Sequence, residues 1–396
     1  MALLRLNEMI GRQIEMNHCP LLHGPTIRIR LAVLFLCLLL QACSDRSDVT
    51  VGFLGPLEGK YSDLGVQGRN GVQLALEEAN ERGLVPGVRF RLLAEDDLNT
   101  PDGARQAVES LAAAKAVAII GPMTSGVAEA ALEQASIHRL PLISPTVSTP
   151  LLTGKRDLFF RVLSENSQWA KALARFGRER GGLRTIVIVA DMDNEAFSGP
   201  YRDAFRSEFV RLGGMLLKDW EIRSLSLESW EPIVAEIERL APDAVFVSLS
   251  SRDASRLAKT FASHSLKIPV YSTMWAATRE LVVDCGQTCE GWIFGMGYSE
   301  DNARPEHLSF RDRYRQRFGY ASNFAAALSY EATQIFIQGM LKADGDPKNL
   351  PLAMVALPEL PGVIASFRLD EFGDVIRDHY IIQFTGRDFR THETIR

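Results

Sequence analysis

Residues 100–126 read Thr100-Pro-Asp-Gly-Ala-Arg-Gln-Ala-Val-Glu-Ser-Leu-Ala-Ala-Ala-Lys-Ala-Val-Ala-Ile-Ile120-Gly-Pro-Met-Thr-Ser-Gly126. Thr100 stands as an N-cap and Pro101 in the first helical turn, where its missing N–H costs nothing. Ala104, Ala107, Val108, Leu111 and Ala112 follow at the spacing of one buried helix face. Val117–Ile120 is then a continuous apolar run, as in a parallel strand covered by helices on both faces. A helix feeding a buried strand that ends in a hydroxyl-bearing turn is the unit of an α/β fold.

The unit recurs on either side. Val49–Leu54 and Val88–Ala94 read as strands flanking a helix at Gln67–Arg82, and a helix over 124–138 leads to strand Leu140–Ser144. After Phe159-Phe-Arg-Val162 the alternation restarts. Helices at Ser167–Arg180, Gly199–Leu212, Leu227–Leu240 and Asp253–His264 separate strands at Thr185–Val189, Met215–Ile222, Ala244–Ser248 and Ile268–Tyr271. Such alternation requires parallel sheets with right-handed crossovers, so two doubly wound parallel-sheet lobes are expected. The tail departs from it, with helices at Pro305–Phe318 and Ser322–Ala343. Val363–Leu369 and Val375–Phe384 then read as a hairpin around the Gly-bearing turn Asp370–Asp374.

A chain of 396 residues, 46% hydrophobic and 23% charged, has ample material for two or three buried cores. Its net charge of −5 argues against a phosphate-backbone partner, so no nucleic acid is expected. Arg28 and Arg30 precede the apolar run Leu31–Leu40, which is shorter than the roughly 20 residues a membrane span needs and reads as a signal peptide. Leu40-Gln41-Ala42-Cys43 resembles the lipobox of bacterial lipoproteins. Residues 1–42 are therefore expected to be a signal peptide, Cys43 the lipid-bearing residue that holds the protein to the membrane, and 43–48 a tether. Outside the cytoplasmic membrane thiols oxidise, and Cys285 and Cys289 are expected to form a local disulfide that tidies a turn.

No GxxxxGK[ST] loop, strand-following GxGxxG, HExxH or GxSxG occurs, so no cofactor, metal site or enzymatic activity is expected. Arg311, Arg313, Arg315 and Arg317 interleave with Phe310, Tyr314 and Phe318, which reads as a solvated helix face.

The strand ends carry the chemistry. In doubly wound sheets ligands sit beyond the carboxyl ends of the strands. The first strand exits into Gly55-Pro-Leu-Glu-Gly-Lys-Tyr-Ser-Asp63, the third into Gly121–Gly126 and the fourth into Ser144-Pro-Thr-Val-Ser-Thr-Pro150. Thr124 and Ser125 stand at a helix N-terminus, where free N–H groups favour a carboxylate. Three adjacent hydroxyl-rich exits are expected to surround one small polar ligand. Met123, Phe197 and Trp275 are candidates for an apolar subsite.

Gly52-Phe-Leu-Gly-Pro56, Gly68-Arg-Asn-Gly71, Asp96-Asp97, Ile119-Ile-Gly-Pro122 with Ser125, Ile143-Ser-Pro-Thr-Val-Ser148, Phe159-Phe-Arg161 and Phe324–Tyr330 occur in an order that resembles the type I periplasmic binding proteins. The likeness is to the branched-chain amino-acid (leucine/isoleucine/valine) binding family of ABC importers, over about Val49–Phe384. It implies two lobes, 49–160 with 299–358 and 161–298 with 359–396, joined by a three-crossing hinge. It also implies that Ser125 and Ser148 hold a ligand carboxylate, that Thr146 contacts its ammonium, and that Tyr61 and Phe197 face it from the two lobes. Phe197 replaces a tyrosine usual in the family. The lobe-two acid expected against an ammonium is missing from Ser272-Thr-Met-Trp-Ala-Ala-Thr278, leaving Asp191, Asp193 or Glu195 as substitutes. The ligand is thus an amino acid, or a carboxylate or amide lacking an ammonium. The implied protein is a monomer in the periplasm or on the outer face of the cytoplasmic membrane. It passes its ligand to an ABC permease or, alternatively, signals to a partner.

Overall fold

The computed structural model describes residues 46–395. The signal segment and Cys43 lie outside the described residues. Strands β1 (Ser47–Gly55), β2 (Val88–Asp96), β3 (Ile119–Ile120), β4 (Leu142–Ser144) and β5 (Phe159–Arg161) form one parallel sheet in the order β2-β1-β3-β4-β5. Strands β6 (Thr185–Asp191), β7 (Met215–Ile222), β8 (Ala244–Ser248), β9 (Val270–Thr273) and β10 (Ile293–Met296) form a second in the order β7-β6-β8-β9-β10. The two orders are the same when each block is counted from its own first strand. Each sheet therefore has a switch point beside its first strand, where chain exits diverge and leave a crevice.

The tail adds three short strands, β11 (Leu360–Pro361), β12 (Ser366–Leu369) and β13 (Val375–Ile376), in a small antiparallel sheet of their own. Strand β14 (His379–Phe384) pairs antiparallel with β10, and β15 (Phe389–Ile395) pairs with β14. The segment expected as one strand from Val375 to Phe384 is thus broken at Arg377-Asp378, because its two halves serve different sheets. The chain crosses between the large sheets three times, after β5, after β10 and between β13 and β14. Two buried ion pairs hold the outer crossings. Arg161 Nε donates to Asp374 Oδ1 at 2.6 Å, and Arg377 Nη2 to Glu331 Oε2 at 2.6 Å.

Local chemistry explains the helices. Thr100 Oγ1 accepts from Gly103 N at 3.0 Å, capping the Pro101–Ala113 helix, whose Ala104, Ala107, Val108 and Leu111 are buried. The Ser62–Arg82 helix lies against the Phe324–Lys342 helix so closely that a Cβ on Gly71 would sit 2.2 Å from the Ala326 carbonyl oxygen. Only glycine fits there. The arginine row of the Pro305–Phe318 helix is less free than a solvated face. Arg317 pairs with Glu77 at 2.8 Å, Arg313 with Glu78 at 2.7 Å, and Arg311 donates to the Glu300 carbonyl at 3.0 Å. Glu77 and Glu78 of the Ser62–Arg82 helix thus tie Arg317 and Arg313 to it, while Arg315 stays on the exposed face. Cys285 and Cys289 are disulfide-bonded, with Cα atoms 5.6 Å apart.

Candidate functional site

The exits of β1, β3 and β4 in lobe one meet those of β6 and β9 in lobe two. Between them lies a cavity of about 20 Å³, lined by Leu64, Met123, Thr124, Ser125, Thr146 and Phe324 from one lobe and Asn194, Phe197, Met274 and Trp275 from the other. A water needs at least ~10–15 Å³, so this space is far smaller than an amino acid. Admitting a ligand requires the lobes to part, and hinge closure is a general means of doing so. A larger groove of about 670 Å³ lies outside it, along Asn99, Gly126, Asp193 and Arg223.

One wall is polar. Ser125 begins a short 3-10 turn (Ser125–Val127) that runs directly into the Ala128–Ile137 helix. Its Oγ accepts from Ser148 N at 3.4 Å, while Ser148 Oγ is buried without a hydrogen-bond partner. Thr146 Oγ1 donates to the Met123 carbonyl, and Thr124 Oγ1 to Asn99 Oδ1 at 2.7 Å. The opposite wall is apolar apart from Asn194. Trp275 meets Phe197 edge-on, with ring centroids 6.0 Å apart, and Tyr61 stacks behind Trp275 at 5.7 Å. Met123 is held over Gly68, where a Cβ would come within 2.6 Å of its terminal methyl.

Six residues singled out in the sequence, Met123, Thr124, Ser125, Thr146, Phe197 and Trp275, come together around this cavity. Tyr61 and Ser148 support its walls from behind. Asp191 does not line it. That carboxylate is fully buried and accepts from Ser224 N at 3.1 Å and Asp193 N at 3.0 Å, with Lys60 beside it. Burial pushes its pKa up, against the pull of those hydrogen bonds and of Lys60. The Tyr61 phenol is driven well above its ordinary value by burial and then by Asp191, Asp193 and Asp253.

Asn194, Leu64, Met274 and Phe324 also line the cavity, and none was a sequence candidate. Asn194 Oδ1 accepts from Gly126 N at 2.9 Å across the two lobes. Its only sequence signal is a place in the loop after β6. Phe324 opens a segment that reads first as core.

Residues 48–388 match the family described as periplasmic binding protein. The chain belongs to that family. Its expected place among type I, branched-chain amino-acid members is borne out by relatives and fold alike. The Leu/Ile/Val-binding protein BraC3 of Rhizobium johnstonii is 23% identical over 333 residues, covering 83% of this chain and 89% of that protein. A leucine-binding protein, LivK, from Thermotoga maritima superposes with a TM-score of 0.81 at 21% identity, covering 88% of this chain and 99% of its own. A solute-binding protein of an R. palustris ABC transporter, solved with benzoate, superposes with a TM-score of 0.80 at 24% identity, covering 88% and 96%. As a periplasmic binding protein the chain is an extracytoplasmic solute-binding component of ABC transport that takes a small ligand.

Proposed function

We propose that this periplasmic binding protein captures a small carboxylate with an apolar body and no ammonium, and delivers it to an ABC importer while anchored through lipid on Cys43. The observation that carries the ligand class is the lining of the interlobe cavity. Among the described residues that line it there is no Asp or Glu. An ammonium buried there would lack a counter-charge, at a cost of several kcal/mol. A carboxylate would meet the Ser125 hydroxyl at the turn that opens the Ala128–Ile137 helix, where the helix dipole favours a negative charge. Phe197, Met274 and Trp275 suit an apolar body. The benzoate-bound relative and the leucine-binding one are an aromatic and an aliphatic example of bodies that proteins of this fold take.

The test uses ligand pairs that differ by the ammonium alone. The soluble chain from residue 44 is titrated calorimetrically with 4-methylpentanoate against L-leucine, and with 3-phenylpropanoate against L-phenylalanine. The deaminated member of a pair should bind the more tightly. Ser125→Ala should weaken it by roughly tenfold or more, the usual loss for a hydrogen bond to a charged group. Tight binding of leucine with none of 4-methylpentanoate would overturn the reading.

A further inference from the structure

We infer that Lys60 is the resident cation of the closed cleft, a positioning residue whose pairing with the buried acids of lobe two latches the lobes shut over the ligand. The inference goes beyond the ligand class proposed above, and its affinity test uses the carboxylate ligand of that reading.

Lys60 sits in the short turn Gly59–Tyr61 after β1, on lobe one. Asp191 ends β6, Ser224 follows β7, and Asp253 lies in the first turn of the Ser251–Ser263 helix after β8. These three surround the switch point of lobe two. Lys60 Nζ pairs with Asp253 Oδ2, donates to Ser224 Oγ and lies 3.8 Å from Asp191 Oδ2. Ser224 Oγ in turn donates to Asp191 Oδ2 and lies 3.2 Å from Asp193 Oδ2. Arg223 stands 3.9 Å from Asp193, at the outer side. Asp253 also accepts from Ser250 Oγ at 2.7 Å.

The side chains of Asp191 and Asp253 are 0% and 2% exposed. A buried carboxylate that stays ionised needs a counter-charge or several hydrogen bonds. Among the described residues, Lys60 is the one cation within ion-pair distance of either. It arrives from the opposite lobe, so the pairing exists only when the lobes are shut. The cluster is one aromatic layer from the ligand cavity, since Lys60 Nζ lies 5.2 Å from the Tyr61 ring and Tyr61 stacks on Trp275. A ligand in the cavity does not reach these acids, since none of them lines it. The protein itself supplies their counter-charge, from the opposite lobe.

The experiment compares wild type, Lys60→Met and Lys60→Met/Asp253→Asn, each checked for a native circular dichroism spectrum. Lys60→Met should bind 4-methylpentanoate about tenfold or more weakly and scatter X-rays with a larger radius of gyration. Ethylammonium chloride, whose head matches that of lysine, should restore affinity and compactness to Lys60→Met and leave wild type unchanged. The double variant, with one acid neutralised, should recover part of the loss without ethylammonium. Lys60→Met behaving as wild type in both affinity and scattering would overturn the proposal, and so would loss without rescue by ethylammonium. If wild type binds leucine and not 4-methylpentanoate, the carboxylate reading fails. The scattering of Lys60→Met with and without ethylammonium still judges whether Lys60 closes the lobes.

Discussion

Tyr61 of lobe one stacks on Trp275 of lobe two, with ring centroids 5.7 Å apart and planes inclined by 27°. The pair couples closure to the ligand wall, because Trp275 faces the cavity and Tyr61 does not. Such a pair contributes about 0.5–1.5 kcal/mol beyond its buried area. Trp275→Ala should therefore weaken ligand binding by roughly tenfold or more, through the lost wall and the lost interlobe stack. Tyr61→Phe keeps the ring and removes a buried hydroxyl that lies near Ser224 and carboxylates without a well-formed hydrogen bond, so thermal stability should change little. Calorimetry and thermal melts read both. Wild-type affinity in Trp275→Ala would remove Trp275 from the site.

Asn194 gives a sharper electrostatic test. Its Oδ1 receives the Gly126 N–H beside Ser125, where the ligand carboxylate is placed. Asn194→Ala should cost a few-fold in affinity, in line with about 1 kcal/mol for a neutral hydrogen bond. Asn194→Asp puts a negative charge against a carboxylate ligand and introduces the acid an ammonium wants. Its affinity for 4-methylpentanoate should fall more than its affinity for leucine, measured by titrating the two side by side. Equal losses would mean that no ligand charge lies near Asn194.

The fold was legible in the sequence because its strongest signals are periodic and local. Strands β7 and β8 and the Pro305–Phe318 helix begin and end where the pattern puts them. The hydroxyl-rich exits of β3 and β4 could likewise be placed, since the carboxyl end of a parallel strand is a position that topology dictates. Pairing between distant segments could not. Lys60 and Asp253 are far apart in sequence, and each alone reads as a solvated charge. The break at Arg377-Asp378 also escapes local reading, because it reflects a change of sheet. Asn194 looks like any loop asparagine until the other lobe is beside it.

The hinge pair Glu331–Arg377 is buried on both sides, with side chains 0% and 1% exposed. Glu331 also accepts Ile364 N at 2.9 Å, fixing the segment that leads into the third crossing. Glu331→Gln leaves Arg377 without its counter-charge and should destabilise the fold by about 3–5 kcal/mol, the usual range for a broken buried pair. Glu331→Leu with Arg377→Met removes both charges and should cost less than the single change. Urea unfolding gives the comparison. A single-variant loss no greater than that of the double would show that the pair is not coupled.

Acid sensitivity should reside partly in His307, which follows the second crossing. Burial lowers its pKa to about 4, and its Nε2 lies 3.2 Å from the Glu300 carbonyl oxygen. The unfolded chain takes up this proton near pH 6.5, before the native state does. Stability from His307 is therefore full above about pH 6.5 and is lost as pH falls toward 4. His379, also lowered to about 4 by burial, acts in the same direction. Glu300 and Asp97, both raised to about 7 chiefly by burial, oppose them. Their contribution is present at low pH and is lost as pH rises through 7, which flattens the wild-type profile. His307→Gln keeps an amide donor for Glu300 and cannot titrate. Relative to wild type it should gain stability on going from pH 7 to pH 5, by about 2 kcal/mol at the usual 1.36 kcal/mol per unit. Urea unfolding at the two pH values measures that difference, and a difference independent of pH would show that His307 is not buried in its neutral form.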